Sequence, residues 1–321
     1  MTETRYFSLA RHALAEALRV ADIHSGDIVA VPEFICRDLL SSIHHVGATV
    51  TFYPLDELFN PILLPPDSNV RAILAVNYFG FAQPLEPFYE YCRVNNAVLI
   101  EDNAHGFISS SKDGRLLGTR GQLGITSIRK TIRSGDGATL SVNDENFVNR
   151  LNPQLPSRSR ESLRPIIIRF LAKLDRKYRL SIFRVLRLFI RRVRKFRTGH
   201  LLPLVDFTSE TKPLFISAPY KSSMKMIEGV SRETEKNRRA RAYKQVEFAL
   251  SGLPLRPVFK VLNPETVPYG YPFFSDDDTA RQASKITERF GYEIIKWPDL
   301  PKAVIDNAPI HYKNVWLVNF L

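Results

Sequence analysis

The stretch "AVLIEDNAHG", residues 97–106, passes from four apolar residues to two adjacent carboxylates, Glu101 and Asp102. A short apolar run of this kind is typical of a strand buried in a parallel sheet. In open α/β sheets, ligands bind outside the carboxyl ends of the strands. The stretch therefore predicts a buried strand that brings a carboxylate to a binding site at the edge of a sheet.

Strand-like and helix-like segments alternate around this stretch. Helical spacing in residues 8–20 is followed by the strand "IVAV", a helix in 36–47, the strands "ATVTFYPL" and "RAILAVNYFG", and a helix in 85–96. This alternation predicts an α/β fold with a mostly parallel sheet flanked by helices. From about residue 212 a long charged helix and shorter strands predict a smaller α+β domain. We therefore expect a large domain over 1–211, with a basic helical insert at 157–198, and a small domain over 212–321.

The composition is that of a globular protein, with 44% hydrophobic and 24% charged residues. The two cysteines, Cys36 and Cys92, are too few for a disulfide framework, and their spacing fits no metal motif. The N-terminus lacks the apolar core of a signal peptide, and no run of about 18 apolar residues could span a membrane. We expect a cytoplasmic protein without a metal site.

A second stretch, "SIRKTIRSGDGA" at residues 127–138, places Lys130 ahead of a Gly-Asp-Gly turn. A lysine amine can form a Schiff base with an aldehyde cofactor. A carboxylate can keep a pyridine nitrogen protonated, and a helix N-terminus can bind a phosphate. Asp102, His105 and Lys130 together thus form a pattern that pyridoxal phosphate (PLP) chemistry can use, although each residue taken singly is more often structural.

On these residues the chain resembles the DegT/StrS family of PLP-dependent sugar aminotransferases, which have fold type I. "LIEDNAHG" resembles the family's strand-end motif, and residues 114–140 resemble its glycine-rich run into the Schiff-base lysine. "GDIVAVPEFIC", "VPYGYPFF" and "WPDLP" are similar to further family segments. The serine precedes the lysine by three residues instead of the common five, which places the chain in a divergent branch with a short Ser-x-Arg-Lys motif.

The resemblance implies a role for individual residues. Lys130 would form the Schiff base and move the proton, Asp102 would pair with the pyridine nitrogen, and His105 would contact the ring hydroxyl. The remaining expected cofactor contacts are made to the phosphate and to the ring face: Ser127 and the backbone amides of Ala10 and Arg11 for the phosphate, and either Phe34 or Cys36 for the ring face.

The resemblance also implies an activity. Because Lys130 is present where the family's sugar dehydratases have histidine, transamination is favoured. We expect a transferase acting on a nucleotide-linked keto sugar in polysaccharide or cell-surface glycan biosynthesis, with glutamate as amino donor and a homodimer as the assembly. The alternative is a catalytically silent PLP-fold protein that serves as a scaffold or a membrane-recruited partner.

The positive charge is concentrated in one segment. Residues 157–198 carry 15 Lys and Arg against two acidic residues, a net of +13, whereas the whole chain carries +12. Arginines recur every three or four residues between 184 and 194, opposite an apolar stripe, which predicts an amphipathic helix. It could pack on the large domain, bind anionic lipid at the inner membrane face, or bind a nucleotide-sugar diphosphate. We expect no nucleic-acid partner, because no binding motif is present.

Overall fold

The computed structural model of the chain describes residues 2–66, 69–132, 134–159 and 206–320. Its larger sheet consists of seven strands: β1 (Glu3–Phe7), β2 (Ile28–Pro32), β3 (Thr49–Tyr53), β4 (Val70–Val76), β5 (Val98–Asn103), β6 (Leu123–Thr126) and β7 (Ala138–Val142). Their order in the sheet is β1-β7-β6-β5-β4-β2-β3. The pairs from β3 to β6 are parallel, and β7 is antiparallel to both of its neighbours. The predicted mostly parallel sheet is confirmed.

The central strand β2 is apolar because both faces of the sheet are covered. Consecutive strand residues point to opposite faces, yet Val29, Ala30 and Val31 in β2 are all fully buried. The helices of this part are α1 (Ala10–Val20), α2 (Leu40–His45), α3 (Glu86–Asn95) and α4 (Glu145–Val148). Helix α1 packs against β6 and β7, and α3 packs against β4 and β5. The predicted apolar face of α1 is confirmed, since Ala13, Leu14, Ala17 and Leu18 are fully buried.

Strand β1 has no counterpart among the predicted strands. Its sequence, "ETRYF", is mostly polar, and four of its five residues are only partly buried. β1 is the edge strand, paired with β7 alone. An edge strand of this kind is held by backbone hydrogen bonds on one side, so its sequence carries no apolar run to reveal it.

The second sheet is antiparallel and lies within residues 256–319. It consists of β8 (Arg256–Pro257), β9 (Gly270–Phe274), β10 (Glu293–Lys296) and β11 (Val315–Asn319), in the order β10-β11-β9-β8. Its helices are α5 (Lys221–Glu228), α6 (Arg232–Leu250), α7 (Asp277–Thr287), α8 (Lys302–Ile305) and α9 (Ile310–Lys313). The predicted α+β character of this part is confirmed. The boundary at residue 211 stays a prediction.

Most of the basic insert, including the predicted arginine-rich helix, lies outside the described residues. Its first residues are described, and there Arg158 forms an ion pair with Asp136 at 2.6 Å and stacks over the ring of Tyr220. Within the described ranges, no helix combines the length and the apolar character that crossing a membrane requires.

A buried ion pair anchors the end of β5. The Glu101 carboxylate is fully buried and contacts the Arg120 guanidinium at 2.6 Å, while the Arg120 side chain is only 6% exposed. The same carboxylate accepts hydrogen bonds from the backbone N–H of Arg120 at 2.8 Å and from the side-chain amide of Asn77 at 2.9 Å. Arg120 in turn donates to the Asn77 side-chain oxygen and to the Gln83 carbonyl. Glu101 therefore fastens β5 to the end of β4 and to the loop that precedes β6.

We predict that Arg120→Met lowers the free energy of unfolding by about 3–5 kcal/mol, because it leaves the Glu101 carboxylate buried without its cation. Denaturant unfolding followed by circular dichroism measures the change. Arg93→Met is the matched control, since Arg93 forms an exposed pair with Glu90, and exposed pairs contribute little. Equal unfolding midpoints for the two variants would show that the buried network does not stabilise the fold.

Candidate active site

Two neighbouring strands deliver the predicted acid and lysine to one edge of the large sheet. β5 and β6 are parallel, with Asp102 opposite Ile125. Asp102 lies near the end of β5, and a 3₁₀ turn, Ile128–Lys130, follows β6. The Nζ atom of Lys130 lies 3.2 Å from Nε2 of His105. The structure thus brings Asp102, His105 and Lys130 together, as the sequence predicted.

Asp102 points to the opposite face of β5 from Glu101, as the alternation of a strand requires. It is 3% exposed, and its Oδ1 accepts a hydrogen bond from the backbone N–H of Ala104 at 2.8 Å. Burial raises the pKa of Asp102, and the nearby charge of Lys130 opposes this rise. A buried carboxylate held in this way favours a cationic partner, which the protonated nitrogen of a pyridine ring can supply.

His105 is held in one orientation by aromatic rings and by the backbone. Its imidazole lies parallel to the ring of Tyr269 at 4.7 Å and to that of Phe79 at 5.8 Å, and Trp297 packs edge-on at 4.9 Å. The backbone N–H of Phe79 donates to Nδ1 at 3.4 Å, so the ring proton is on Nε2. Burial lowers the pKa of His105 well below its usual value, and Lys130 lowers it further. A neutral His105 therefore directs an N–H toward Lys130.

The surroundings of Lys130 favour the neutral amine. The side chain is partly exposed, and the surrounding protein desolvates its ammonium group. This desolvation lowers the pKa of Lys130, the charges of Cys36 and Asp102 oppose the shift, and Arg129 reinforces it. Because Nε2 of His105 donates its proton, the lone pair of Lys130 accepts it. An amine with an available lone pair is the form that attacks an aldehyde.

The phosphate contacts expected from the resemblance lie at the start of α1 and in the turn before Lys130. Ser127 is 1% exposed, and helix α1 begins at Ala10 with no side-chain cap, because Leu9 occupies the cap position. The first-turn amides of Ala10 and Arg11 are therefore available to an anion. In addition, Nε of Arg11 is buried without a hydrogen-bond partner among the described residues. This unpaired donor fits a phosphate-binding end of the cleft.

The structure separates the two residues considered for the ring face. Phe34 is fully buried in an aromatic cluster, stacked on Phe59 at 4.4 Å and in contact with Tyr78, Trp297 and Tyr312. Cys36 is partly exposed and lies near Lys130, whose charge lowers the pKa of the thiol while desolvation raises it more strongly. Of the two, Cys36 is the one beside the lysine.

Residues from the second sheet's part of the chain close the site. Arg239 in α6 is fully buried and donates to the carbonyls of Pro268 and Tyr269, at 3.0 and 2.9 Å, and to that of Thr131. It thereby fixes Tyr269 over His105 and also holds the residue after Lys130. Gly80, with φ +93°, lies so close that an added Cβ would meet the Val267 carbonyl at 2.5 Å. These contacts join segments far apart in the sequence.

Sequence reasoning quoted the segments that contain Tyr269 and Trp297 but assigned neither residue a role, and it did not identify Phe79. The available signal was the density of aromatic residues in "VPYGYPFF" and "NYFGF". Arg129 was noted only as a departure from the family pattern. Within the described ranges, no group of His, Cys, Asp or Glu is arranged to bind a metal ion.

Part of the chain matches a known family. Residues 7–153 match the DegT/DnrJ/EryC1/StrS aminotransferase family. The chain is 27% identical over 148 residues to the GDP-perosamine synthase of Caulobacter vibrioides. This match covers 43% of the chain and 39% of the synthase. It is 29% identical over 147 residues to the dTDP-4-dehydro-2,3,6-trideoxy-D-glucose 4-aminotransferase of Saccharopolyspora spinosa. That match covers 43% of this chain and 37% of the relative. The matched region thus spans about two fifths of the length of each of these curated relatives.

Among solved structures, the chain is similar to Helicobacter pylori PseC, an aminotransferase involved in pseudaminic acid biosynthesis. The TM-score is 0.65 at 13% identity, and the match covers 99% of this chain and 81% of PseC. The chain therefore shares the fold of this structure, and the expected α/β architecture, with a large mostly parallel sheet and a smaller second part, is confirmed. The resemblance to the DegT/StrS family is confirmed as well, over residues 7–153.

We predict that Lys130 titrates below 10.5, the ordinary value for a lysine. Because the neutral fraction reaches one half at the pKa, a lowered pKa moves the amine's reactivity curve to lower pH. Competitive acetylation of the cofactor-free protein across a pH series, read by mass spectrometry, measures the midpoint against N-acetyl-lysine in the same tube.

Two variants are expected to shift the midpoint of the Lys130 titration in opposite directions. Asp102→Asn removes a charge that raises the pKa of Lys130, so the midpoint falls further, whereas Arg129→Gln removes a charge that lowers it, so the midpoint rises. A wild-type midpoint equal to that of the free lysine derivative would contradict the assignment of Lys130 as a neutral amine.

Proposed function

We propose that this protein is a PLP-dependent aminotransferase that transfers an amino group to a nucleotide-linked keto sugar. The observation that carries the proposal is the placement of the Lys130 amine, 3.2 Å from Nε2 of His105, beside the buried carboxylate of Asp102. The names of the relatives support the substrate class, because one is a GDP-perosamine synthase and another acts on a dTDP-linked dehydro sugar.

Each residue has a role that follows from its surroundings. The cofactor, when bound, supplies a ring that withdraws electrons from the substrate carbon. Asp102 keeps a proton on the pyridine nitrogen, since it is a buried carboxylate that gains from a cationic partner. Lys130 would hold the cofactor through its aldehyde carbon, and its amine would carry the proton that moves during amino transfer. His105 orients Lys130 through its Nε2–H.

The phosphate is assigned to the other end of the cleft. The amides of Ala10 and Arg11 and the hydroxyl of Ser127 are the proposed donors, and Cys36 is proposed to lie on the ring face. Phe34 is proposed to support that face through the aromatic cluster beneath it. From the family resemblance, the proposal also includes glutamate as the amino donor, a role in glycan biosynthesis and a homodimeric assembly.

The scaffold alternative is not favoured by the site. Desolvation of Asp102 and Lys130 shifts both pKa values against the charged forms, so keeping either group charged costs the folded protein free energy. A protein that needs only the shape of the fold gains nothing from this arrangement, whereas a PLP enzyme uses both groups. Perturbed pairs of this kind cluster at functional sites.

We predict that Lys130→Arg abolishes the visible absorption band that forms when PLP is added, because arginine remains protonated and cannot attack an aldehyde. The circular dichroism spectrum stays unchanged. Borohydride reduction followed by peptide mass spectrometry places the cofactor on Lys130 of the wild-type protein. Finding it on Lys112 instead, a lysine outside the cleft, would refute the assignment.

We predict that Asp102→Asn still binds PLP but loses turnover by at least about 100-fold, equivalent to about 2.7 kcal/mol of activation free energy. Asparagine can hydrogen-bond the pyridine nitrogen but cannot keep it protonated. Single-turnover amino transfer from glutamate to a panel of nucleotide-linked keto sugars measures the loss. Turnover close to that of the wild type would show that the carboxylate is only structural.

A further inference from the structure

Arg129 has no side-chain partner among the described residues. It is exposed and directly precedes Lys130. Its side chain makes no hydrogen bond or ion pair with the described residues. The nearest carboxylates are already engaged: Asp136 pairs with Arg158 at 2.6 Å, and Asp38 lies 3.4 Å from Arg11. A guanidinium without a carboxylate partner is free to form charge-assisted hydrogen bonds with an anionic ligand.

The backbone places Arg129 beside the start of α1. The N–H of Arg129 donates to the carbonyl of Gly137 at 3.1 Å, and the N–H of Gly137 donates to the carbonyl of Ser8 at 2.8 Å. Ser8 comes two residues before Ala10, the first residue of α1. Arg129 therefore lies at the uncapped end of this helix, where backbone N–H groups already favour an anion.

Arg11 provides a second guanidinium at the same place. Arg11 is the second residue of α1, the helix whose start lies beside Arg129, and its charge lowers the pKa of Arg129. Its Nε atom is buried and has no hydrogen-bond partner in the described part of the chain. Two mutually repelling guanidiniums, one with an unsatisfied buried N–H, are stabilised together by a dianion that can accept several hydrogen bonds.

We propose that Arg129, together with Arg11, binds the phosphate group of the cofactor. The inference rests on the proposed function, since it assigns the phosphate subsite of the same cleft. A phosphate dianion fits better than a single carboxylate, because two guanidiniums and the amides at the start of α1 converge on one place. The phosphate end also lies where Ser127 starts the turn that carries Lys130. Arg129 is thus a binding residue and not a group that moves protons.

The test compares PLP with pyridoxal, which has the same aldehyde but no phosphate. Cofactor-free wild type, Arg129→Gln and Arg129→Lys are titrated with each compound, and absorbance measures binding. The ratio of the two affinities isolates the phosphate, because any change at Lys130 affects both compounds equally. Arg115→Gln is the matched control, since Arg115 is 57% exposed and pairs with Asp113.

We predict that Arg129→Gln weakens PLP binding by about 10- to 100-fold relative to pyridoxal. Arg129→Lys falls between, because lysine retains the charge but not the bidentate geometry. Inorganic phosphate competes with PLP on the wild type and less on Arg129→Gln. The Arg115→Gln ratio equals that of the wild type. Matching thermal unfolding curves confirm that the variants are folded.

Three outcomes would overturn the inference. The variant could bind both PLP and pyridoxal as tightly as the wild type does, or it could lose affinity for both compounds to the same extent. The variant could also keep its PLP affinity but lose affinity for GDP, which would assign Arg129 to a phosphate of the substrate. If the wild type forms no adduct with either aldehyde, the proposed function fails, and phosphorus NMR then tests the anion site alone. Inorganic phosphate binding that is lost in Arg129→Gln supports the site, and its absence in the wild type refutes it.

Discussion

The buried ion pair between Glu101 and Arg120 is the constraint on which the site depends. It ties the end of β5 to the end of β4 and to the loop before β6, and all three segments border the cleft. Because strand residues alternate, fixing Glu101 on one face fixes Asp102 on the other. The two adjacent carboxylates therefore serve different ends: one holds the strand, and its neighbour is free to act on a ligand. The parallel register of β5 with β6 then sets the position of the turn that carries Lys130.

The electrostatics of the cleft follow from this placement. Desolvation raises the pKa of Asp102 and lowers that of Lys130. It therefore favours the neutral amine of Lys130, whereas the ionised form of Asp102 is favoured by the nearby cation and by the hydrogen bond from the Ala104 N–H. Neighbouring charges partly oppose each shift, which keeps the two groups responsive to what binds between them. The proposed cofactor has complementary features: a basic nitrogen for Asp102, an aldehyde for Lys130, and a dianion for the phosphate site proposed at Arg11 and Arg129.

Much of this was predictable from the sequence because it is local. The strands and helices of the large sheet follow from apolar periodicity, and Asp102, His105 and Lys130 belong to short motifs at strand ends. The rest depends on segments far apart in the chain. Tyr269 stacks on His105 across 164 positions, the partner of Glu101 is fixed by packing, and the polar edge strand β1 is held by backbone pairing. The burial of Phe34 in the aromatic cluster, which distinguishes it from the partly exposed Cys36, likewise depends on distant segments.

The contact that spans these distant segments is a single arginine. Arg239 in α6 satisfies carbonyls on both sides of the cleft, those of Pro268 and Tyr269 on one and that of Thr131 on the other. Its charge is offset by Glu235 at 2.7 Å, one helical turn earlier. Since carbonyl groups accept from a guanidinium in fixed directions, the position of Tyr269 over His105 and the position of the turn carrying Lys130 are set together. A shift of either sheet would therefore be transmitted to the hydrogen bond between His105 and Lys130, so the geometry that prepares the amine is a property of the whole chain and not of one motif.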